Sequence, residues 1–196
     1  MLRHFRASLV ILLLMTVLTG IAYPLAMVGV AGAAFPHQAA GSLVEKDGKV
    51  IGSSLIGQSF ASDRYFHGRP SATVDADPND ATKTVPAPYN AASSAGSNLG
   101  PTSKALMARV KADADRLGKG VPVDLVTTSG SGLDPHLSPA AATWQVPRVA
   151  KARGLSNADV QRLVVQHTEG RTLGLLGESR VNVLQLNLAL DALPGR

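Results

Sequence analysis

The residues best suited to chemistry lie in one short polar segment, Ser129–His136, which contains hydroxyls, a carboxylate and an imidazole. Ser131, Asp134 and His136 are the residue types of a nucleophilic triad, which requires them to converge in space. The Gly-x-Ser-x-Gly elbow of many serine hydrolases is absent here. The same residues suit a Gly/Ser turn in which Asp134 caps the backbone and Pro135 fixes the entry to the next element. We prefer the turn, and catalysis stays open as the alternative.

Other patterns for catalysis or metal binding are weak. No phosphate-binding loop or dinucleotide-binding glycine pattern occurs, and the absence of cysteine excludes thiolate catalysis and cysteine zinc sites. Asp75, Asp77 and Asp80 resemble a calcium loop only loosely, because Pro78 interrupts them and the terminal Glu is missing. Tyr65–Pro70 has the side chains to recognise an anion, although an aromatic plug beside a turn is the preferred interpretation. We expect no directly bound cofactor or metal.

The charge distribution argues against a nucleic-acid surface. From position 35 onward, 17 basic and 14 acidic side chains leave a net charge of +3. The basic residues are scattered, form no run of five or six, and do not alternate with aromatic residues. We therefore expect no nucleic-acid partner.

A single membrane helix is predicted near the N-terminus. No Asp, Glu, Lys or Arg occurs from Ala7 to Ala34. The first 21 of these residues would extend about 31 Å as a helix, which matches the ~30 Å hydrocarbon core of a bilayer. Arg3 and Arg6 precede the stretch and predict a cytoplasmic N-terminus. The expected organisation is a cytoplasmic segment at 1–6, a transmembrane anchor at 7–34 and an extracytoplasmic domain at 35–196.

A cleaved signal peptide is the alternative, and it would release a secreted binding module. The basic start, the apolar run and the small residues Ala31, Gly32 and Ala33 fit a cleavage site. The run exceeds the ~7–15 apolar residues that are usual for a signal peptide, so the uncleaved anchor is preferred.

Small or weakly polar side chains form a stripe along the predicted membrane helix. In lipid, small residues let helix backbones approach, and hydroxyls bond across the contact. A partner helix is therefore expected on this face, although such residues are tolerated elsewhere in membrane helices. Pro24 is expected to kink or end the span. The stripe comprises Thr16, Thr19, Gly20, Tyr23 and Met27.

The remaining sequence predicts a small α+β or α/β domain. Ser138 followed by Pro139 is a helix start, Ser156–Asp159 is a capping-box pattern, and Pro147 is expected to break or kink the helix between them. Residues 71–101 are rich in Pro and polar residues, which is typical of a functional or disordered connection. Strands are predicted at 43–44, 50–56 and 121–126, and helices at 102–117, 138–154 and 156–167. The Leu spacing of 183–193 fits either a strand or a helix, and Asn182 as a cap together with the Leu, Gln and Ala content favours the helix.

Several segments, taken in order, resemble the C subunits of the Kdp potassium-transporting ATPases. The Ser-Gly-Ser-Gly-Leu-Asp-Pro-His run is long and unusual, and with the N-terminal helix the resemblance covers nearly the whole chain. Ala40 and Ala95 depart from the Asn and Gly that are common in that family. The matching segments are 38–43, 52–58, 65–72, 89–90, 96–101, 124–136, 145–150 and 181–184.

The resemblance implies a non-catalytic accessory subunit of a high-affinity potassium-uptake complex in the bacterial inner membrane. Its partners would be a channel-like A subunit that binds K⁺, a P-type ATPase B subunit that hydrolyses ATP, and a small F subunit. The C subunit would aid assembly and raise the ATP affinity of the B subunit, a catalytic chaperone role. ATP and K⁺ would then be handled by the partner subunits.

Candidate contact or structural residues follow from the matching segments. A membrane-tethered hydrolase that uses Ser131, Asp134 and His136 remains the alternative. The candidates are Gln38, Gly41, Ser42, Arg69, Asn90, Asn98, Ser131, Asp134, His136 and Arg148.

Overall fold

The predicted membrane segment forms a long N-terminal helix in the computed structural model, which describes residues 2–193. Helix α1 (Leu2–Val17) continues through a π-helical turn (Leu18–Ala22) into α2 (Tyr23–Ala34). The 32-residue stretch Arg3–Ala34 is long and apolar enough to cross a bilayer, and none of its most apolar part is buried. A signal sequence would meet the same criteria, so the uncleaved anchor stays a prediction.

The helix does not end at Pro24. Proline has no N–H to donate, and its ring collides with the carbonyl four residues earlier, that of Gly20. The structure meets this constraint with the π-helical turn just before it, where the Tyr23 N–H bonds to the Leu18 carbonyl five residues back. The helix then runs on to Ala34, so termination at Pro24 is excluded.

A short hairpin follows the long helix. Helix α3 (Pro36–Ala39) leads into β1 (Leu43–Lys46) and β2 (Lys49–Ser53), which pair antiparallel. Asp47 and Gly48 form the connection with positive φ angles of 53° and 72°, as a type I′ hairpin turn requires. The two strands predicted here are confirmed. The chain divides into two units at this point, one ending at Ser53 and the other beginning at Ser54.

Four helices of the second unit begin at the side chains that the sequence offers as caps. These are α4 (Lys104–Leu117), α5 (Pro139–Arg153), α6 (Asn157–Gln166) and α7 (Val183–Asp191). In each, the oxygen of the preceding Ser or Asn side chain accepts a hydrogen bond from the N–H three residues on, which satisfies an otherwise unpaired donor. The caps are Ser103, Ser138, Ser156 and Asn182.

The core lies between α5, α6, α7 and a small three-stranded sheet. The sheet order is β5 (His136–Leu137), β7 (Arg180–Asn182) and β6 (Thr168–Glu169), all antiparallel, with β7 in the centre. A separate hairpin consists of β3 (Val74–Asp77) and β4 (Asp80–Pro86). The α+β class is therefore confirmed. The buried core includes Phe66, Leu137, Val146, Val149, Val160, Val164, Val181, Leu186 and Leu190.

One local expectation is wrong, and two others are wrong in part. Residues 121–126 form no strand but a 3₁₀ turn at Val123–Leu125, after Pro122. Helix α5 is not broken at Pro147, which faces solvent, so water can satisfy the carbonyl that this proline leaves unpaired; a kink there stays a prediction. Residues 71–101 are not a disordered connection, because they contain the β3–β4 hairpin, and a functional role for them stays a prediction.

Candidate functional site

Two buried amide side chains hold residues 63–73 against the helical core. This stretch begins with a turn and continues without regular secondary structure, and we call it the extended segment. Asn187 on α7 accepts a hydrogen bond from the Phe66 N–H (2.9 Å) and donates one to the Phe66 carbonyl (3.0 Å). Gln145 on α5 makes the same pair with the backbone of His67, also at 2.9 and 3.0 Å. Each amide is 2% exposed. They therefore replace a neighbouring β-strand at a place where water cannot satisfy the backbone.

Two arginines of α5 complete this attachment. Arg148 donates to the carbonyls of Asp63 (2.8 Å) and Tyr65 (3.0 Å). Arg153 lies 4.8 Å from the centre of the Tyr65 ring and pairs with Asp191 of α7 at 2.6 Å. The candidate residue Arg148 is thus engaged in holding the chain's own backbone.

Arg69, Asp134 and His136 converge at the far end of the extended segment. Arg69 Nη1 lies 3.2 Å from Asp134 Oδ2, and its Nε and Nη2 donate to the carbonyls of Thr127 (3.4 Å) and Thr128 (3.3 Å). Asp134 Oδ1 accepts the His136 N–H at 2.9 Å and lies 3.6 Å from His136 Nδ1. We call these three residues the Arg69 cluster. Asp134 is the predicted backbone cap, and it also joins two segments of the chain.

Tyr89 packs over the extended segment beside this cluster. Its hydroxyl donates to the Arg69 carbonyl at 2.6 Å. A Cβ on Gly57 would lie 2.5 Å from the Tyr89 ring, and one on Gly68 would collide with the Tyr89 hydroxyl. Only glycine at these two positions allows the backbone to approach the Tyr89 side chain so closely. Tyr89 itself has a positive φ of 62°.

The Ser-Gly-Ser-Gly run is packed against two other loops. The Ser71 hydroxyl donates to the Gly132 carbonyl at 2.7 Å, and the Ala95 N–H donates to the Ser131 carbonyl at 2.9 Å. Gly132 has a φ of +68°, and a Cβ there would lie 2.5 Å from the Ala95 carbonyl oxygen and 2.7 Å from Thr73 Cγ2. Ala95 is not among the positive-φ residues, so its departure from the family's glycine causes no backbone strain.

The electrostatics of the cluster favour an ionised Asp134. Burial acts to raise the pKa of Asp134, but hydrogen bonds from the His136 side chain and N–H, together with the charge of Arg69, outweigh it and lower that pKa. Burial raises the pKa of Tyr89 to about 12, and the Asp134 charge acts in the same direction. The Asp134 carboxylate and the Tyr89 phenol are therefore fixed as acceptor and donor near neutral pH.

His67, which lies within the extended segment, is another titratable group whose pKa is shifted. Burial lowers its pKa, and the nearby charge of Arg148 adds to that effect, while a hydrogen bond to the Ser62 carbonyl acts in the opposite direction. A neutral imidazole fits this position because burial penalises the charged form, and with its proton on Nε2 it still donates to that carbonyl at 3.0 Å.

The chemistry available to the cluster is limited by its hydrogen bonds. Asp134 and His136 resemble the acid and base of a triad, but Ser131 Oγ accepts the Leu133 N–H at 3.1 Å and lies 3.5 Å from Ser129 Oγ. Within residues 2–193, no hydrogen bond joins Ser131 to His136, and no three acidic or histidine side chains are arranged to hold a metal. The arrangement tethers loops to one another.

A cleft of about 410 Å³ lies beside the cluster and is lined by residues of β5, by the chain that enters β7, and by Asp124. Both signs of charge line it, including Asp124 and Arg180. The Asp124 carboxylate accepts the Ser138 N–H at 2.8 Å, and Arg180 pairs with Glu169 at 2.8 Å. Its side chains are thus paired within the chain and present no concentrated charge.

The other sequence candidates are dispersed. Asn90 donates to the Val74 carbonyl and accepts the Ala92 N–H, so it supports the β3–β4 hairpin. Asn98 is exposed and has a positive φ of 51°. The first unit contains the remaining three: exposed Gln38, and Gly41 and Ser42 in a turn where both φ angles are positive.

Sequence reasoning missed the residues that organise the site. Tyr89, Gln145 and Asn187 were not among the candidates, although they hold the extended segment. The signal available for Gln145 was its position between Ala141 and Val149 on the apolar face of α5, where a buried amide must find partners.

The fold and site define a helix of membrane-spanning length joined to a small α+β domain whose polar motifs bind one another. A family model described as "K+-transporting ATPase, c chain", KdpC, matches residues 5–192. Three proteins, each named "Potassium-transporting ATPase KdpC subunit", are similar to this chain. The relative from Methylobacterium nodulans is 66% identical over 201 residues, with all of both chains covered.

The other two relatives give the same result. The protein from Bradyrhizobium diazoefficiens is 66% identical over 196 residues, covering 97% of this chain and 98% of its own. The protein from Methylorubrum extorquens is 64% identical over 201 residues, with all of both chains covered. The chain therefore belongs to the KdpC family.

Proposed function

We propose that this chain is a non-catalytic accessory subunit of an ATP-driven potassium-uptake complex. The observation that carries the proposal is the full-length match to relatives named as subunits of a potassium-transporting ATPase. The site supports it, because Arg69, Asp134 and Arg148 are occupied in holding loops of their own chain. An accessory subunit needs a rigid shape, whereas a catalyst needs groups that are free to react.

The proposed action on ATP is indirect. The positive residues before the apolar helix support a cytoplasmic N-terminus, with the helix in the bacterial inner membrane and the domain outside the cytoplasm. Such a domain cannot touch cytoplasmic ATP, and the sequence has no phosphate-binding loop. The chain would therefore aid assembly and raise the ATP affinity of the P-type ATPase B subunit through a coupling free energy passed along the A and F subunits. The A subunit would bind K⁺ and the B subunit would hydrolyse ATP.

The membrane helix is the proposed route of that coupling. Its stripe of Thr16, Thr19, Gly20, Tyr23 and Met27 would pack on a partner helix. The Thr19 hydroxyl donates to the Met15 carbonyl at 2.7 Å within its own helix, so across the interface it would act as an acceptor. A Cβ on Gly20 would meet nothing within 4 Å, which leaves an open groove for a neighbouring backbone.

A tagged purification tests the whole proposal. The full chain would be isolated in mild detergent from native membranes of potassium-starved cells, and its partners identified by mass spectrometry. Recovery of a P-type ATPase together with a channel-like subunit is the expected result. Recovery of this chain alone, at full length, would contradict the accessory role.

A glycine pair tests the stripe. Gly20→Leu fills the proposed groove and should reduce the recovered ATPase subunits about tenfold, as removal of a close helix contact implies. Gly29→Leu is the control, since the same change is made on the same helix outside the stripe and also meets open space. Equal recovery of the ATPase subunits with both variants would show that the stripe is not part of the interface.

The Asp134–His136 contact favours a second candidate, a membrane-tethered extracytoplasmic hydrolase with Ser131 as nucleophile. That enzyme would need Ser131 to turn from Leu133 toward His136. His136→Ala should then abolish hydrolysis of an ester such as p-nitrophenyl acetate by the purified chain. The accessory role predicts no hydrolysis above the buffer rate for either form.

A further inference from the structure

Three leucines project from a turn between β6 and β7. Leu173, Leu175 and Leu176 are 87, 80 and 64% exposed. Isolated exposed leucines are common on protein surfaces, but three within four residues make a continuous apolar knob. We call Arg171–Glu178 the leucine turn. No part of the core uses these side chains, since none of them belongs to the buried cluster.

The leucine turn is preformed. Backbone hydrogen bonds join Thr172 and Leu176 in both directions, at 2.9 and 3.0 Å. Arg171 Nη2 closes the base of the turn on both carboxylate oxygens of Glu178, at 2.8 and 2.7 Å. A turn held in this way loses little conformational entropy when it binds, which is how a small apolar knob can contribute strongly to affinity.

Backbone strain gives an independent indication of function. Leu173 has a φ of +55°, in the left-handed region that leucine rarely adopts. Glycine or asparagine would fit that position better, and neither is present. An unfavourable conformation that keeps an exposed leucine at a turn tip is typical of a binding element.

The charges around the turn select the kind of partner. Arg171 pairs with Glu178, and Arg180 pairs with Glu169 at 2.8 Å, so the rim carries no net charge. Binding to an anionic lipid surface relies on unpaired Lys or Arg beside the apolar residues. An apolar centre within a neutral polar rim is instead the pattern of a protein interface.

A second copy of this chain is disfavoured by symmetry. A cleft of about 460 Å³, lined by Leu155, Leu163 and Leu193, is an apolar surface that could receive the knob. A knob that enters a different surface of an identical chain makes a head-to-tail contact, which propagates into open filaments unless the rotation closes. A different protein avoids that outcome.

We propose that the leucine turn is a docking knob that inserts into an apolar, uncharged socket on the extracytoplasmic face of another subunit of the potassium-transporting ATPase. This interface rests on the proposed accessory function. It also gives the soluble domain a contact of its own, separate from the membrane-helix stripe.

Photo-crosslinking within the purified complex identifies the molecule that the leucine turn contacts. Leu175 would be replaced by the photoreactive residue p-benzoylphenylalanine in the full chain, and the complex would be isolated before irradiation. The expected product is a covalent adduct with another ATPase subunit, identified by mass spectrometry. Adducts with lipid, with a second copy of this chain, or with nothing would each overturn the proposal. Failure of the unmodified chain to bring down any ATPase subunit would instead contradict the accessory function.

Two substitutions separate docking from folding. Leu173→Asn keeps the left-handed backbone but removes the apolar tip, and Leu175→Ser removes the second leucine. Together they should lower recovery of the ATPase subunits about tenfold, the effect of losing hot-spot side chains, while the thermal midpoint of the domain stays unchanged. Val165→Ser on α6, where valine is 63% exposed, is the control and should leave recovery unchanged. Equal recovery for both variants would overturn the proposal.

Discussion

The solvent exposure of the Arg69 cluster and of the leucine turn is the reverse of what their composition suggests. The cluster contains guanidinium, carboxylate and imidazole groups, yet the Arg69 and Asp134 side chains are only about a quarter exposed and bind one another. The leucine turn has apolar side chains, yet Leu173 is 87% exposed and lies outside the buried core. The polar, chemically reactive side chains of the cluster stabilise the domain, and the unreactive leucines of the turn face solvent.

That contrast is what an accessory subunit requires. Tethered loops give the domain one fixed shape, because the side chains of Asp134, Gln145 and Asn187 each have partners that would be lost on rearrangement. The apolar turn and the membrane-helix stripe are then the surfaces left for other proteins. If the polar cluster is a scaffold, substitutions within it should lower the stability of the domain.

The largest effect is expected at the Ser-Gly-Ser-Gly run. Gly132→Ala places a Cβ 2.5 Å from the Ala95 carbonyl at a φ of +68°, so we expect the free energy of unfolding to fall by about 3 kcal/mol from strain and overpacking. Gly130→Ala is the control, since a Cβ there meets nothing within 4 Å. Urea unfolding of the full chain in detergent measures both, and equal stability would show that this loop is not tightly packed.

A smaller loss is expected from the ion pair. Asp134→Ala leaves Arg69 partly buried without its carboxylate and removes the acceptor for the His136 N–H, which should cost about 2 kcal/mol. The comparison is Asp115→Ala, which breaks an exposed pair with Lys111 on α4 and should change stability by no more than about 0.5 kcal/mol. Urea midpoints measure the two losses. If Asp134→Ala unfolds no earlier than Asp115→Ala, the cluster does not stabilise the domain.

The smallest effect is a dependence of stability on pH. Burial lowers the folded-state pKa of His67 below its ordinary value of 6.5. As pH falls below 6.5, the unfolded chain therefore takes up more protons than the folded chain, and the free energy of unfolding decreases until pH passes the folded pKa. His67→Gln should flatten this part of the profile in urea titrations between about pH 8 and pH 5. An identical slope in both proteins would assign the dependence to other groups.

The sequence predicted the local elements better than the contacts between them. Ser138, Ser156 and Asn182 were identifiable as caps because their partners lie three residues away. The 121–126 segment was misassigned because a short apolar run does not distinguish a strand from a buried turn. Polar composition likewise concealed the β3–β4 hairpin.

The site depended on contacts that sequence periodicity does not record. Gln145 meets His67 across 78 residues and Asn187 meets Phe66 across 121, and no local pattern links either pair. The segments that resemble the KdpC family include Arg69 and Asp134, but the resemblance did not indicate that these two side chains bind each other. The exposure of Leu173 was also hidden, since leucine usually lies in a core.

The most direct test of the scaffold interpretation is the ATPase activity of the complex that contains His136→Ala. His136 supplies the imidazole of the Arg69 cluster, and a scaffold could spare this side chain because Arg69 still pairs with Asp134. The account predicts unchanged turnover and an unchanged KM for ATP per mole of assembled complex. Normal assembly with activity abolished would contradict it.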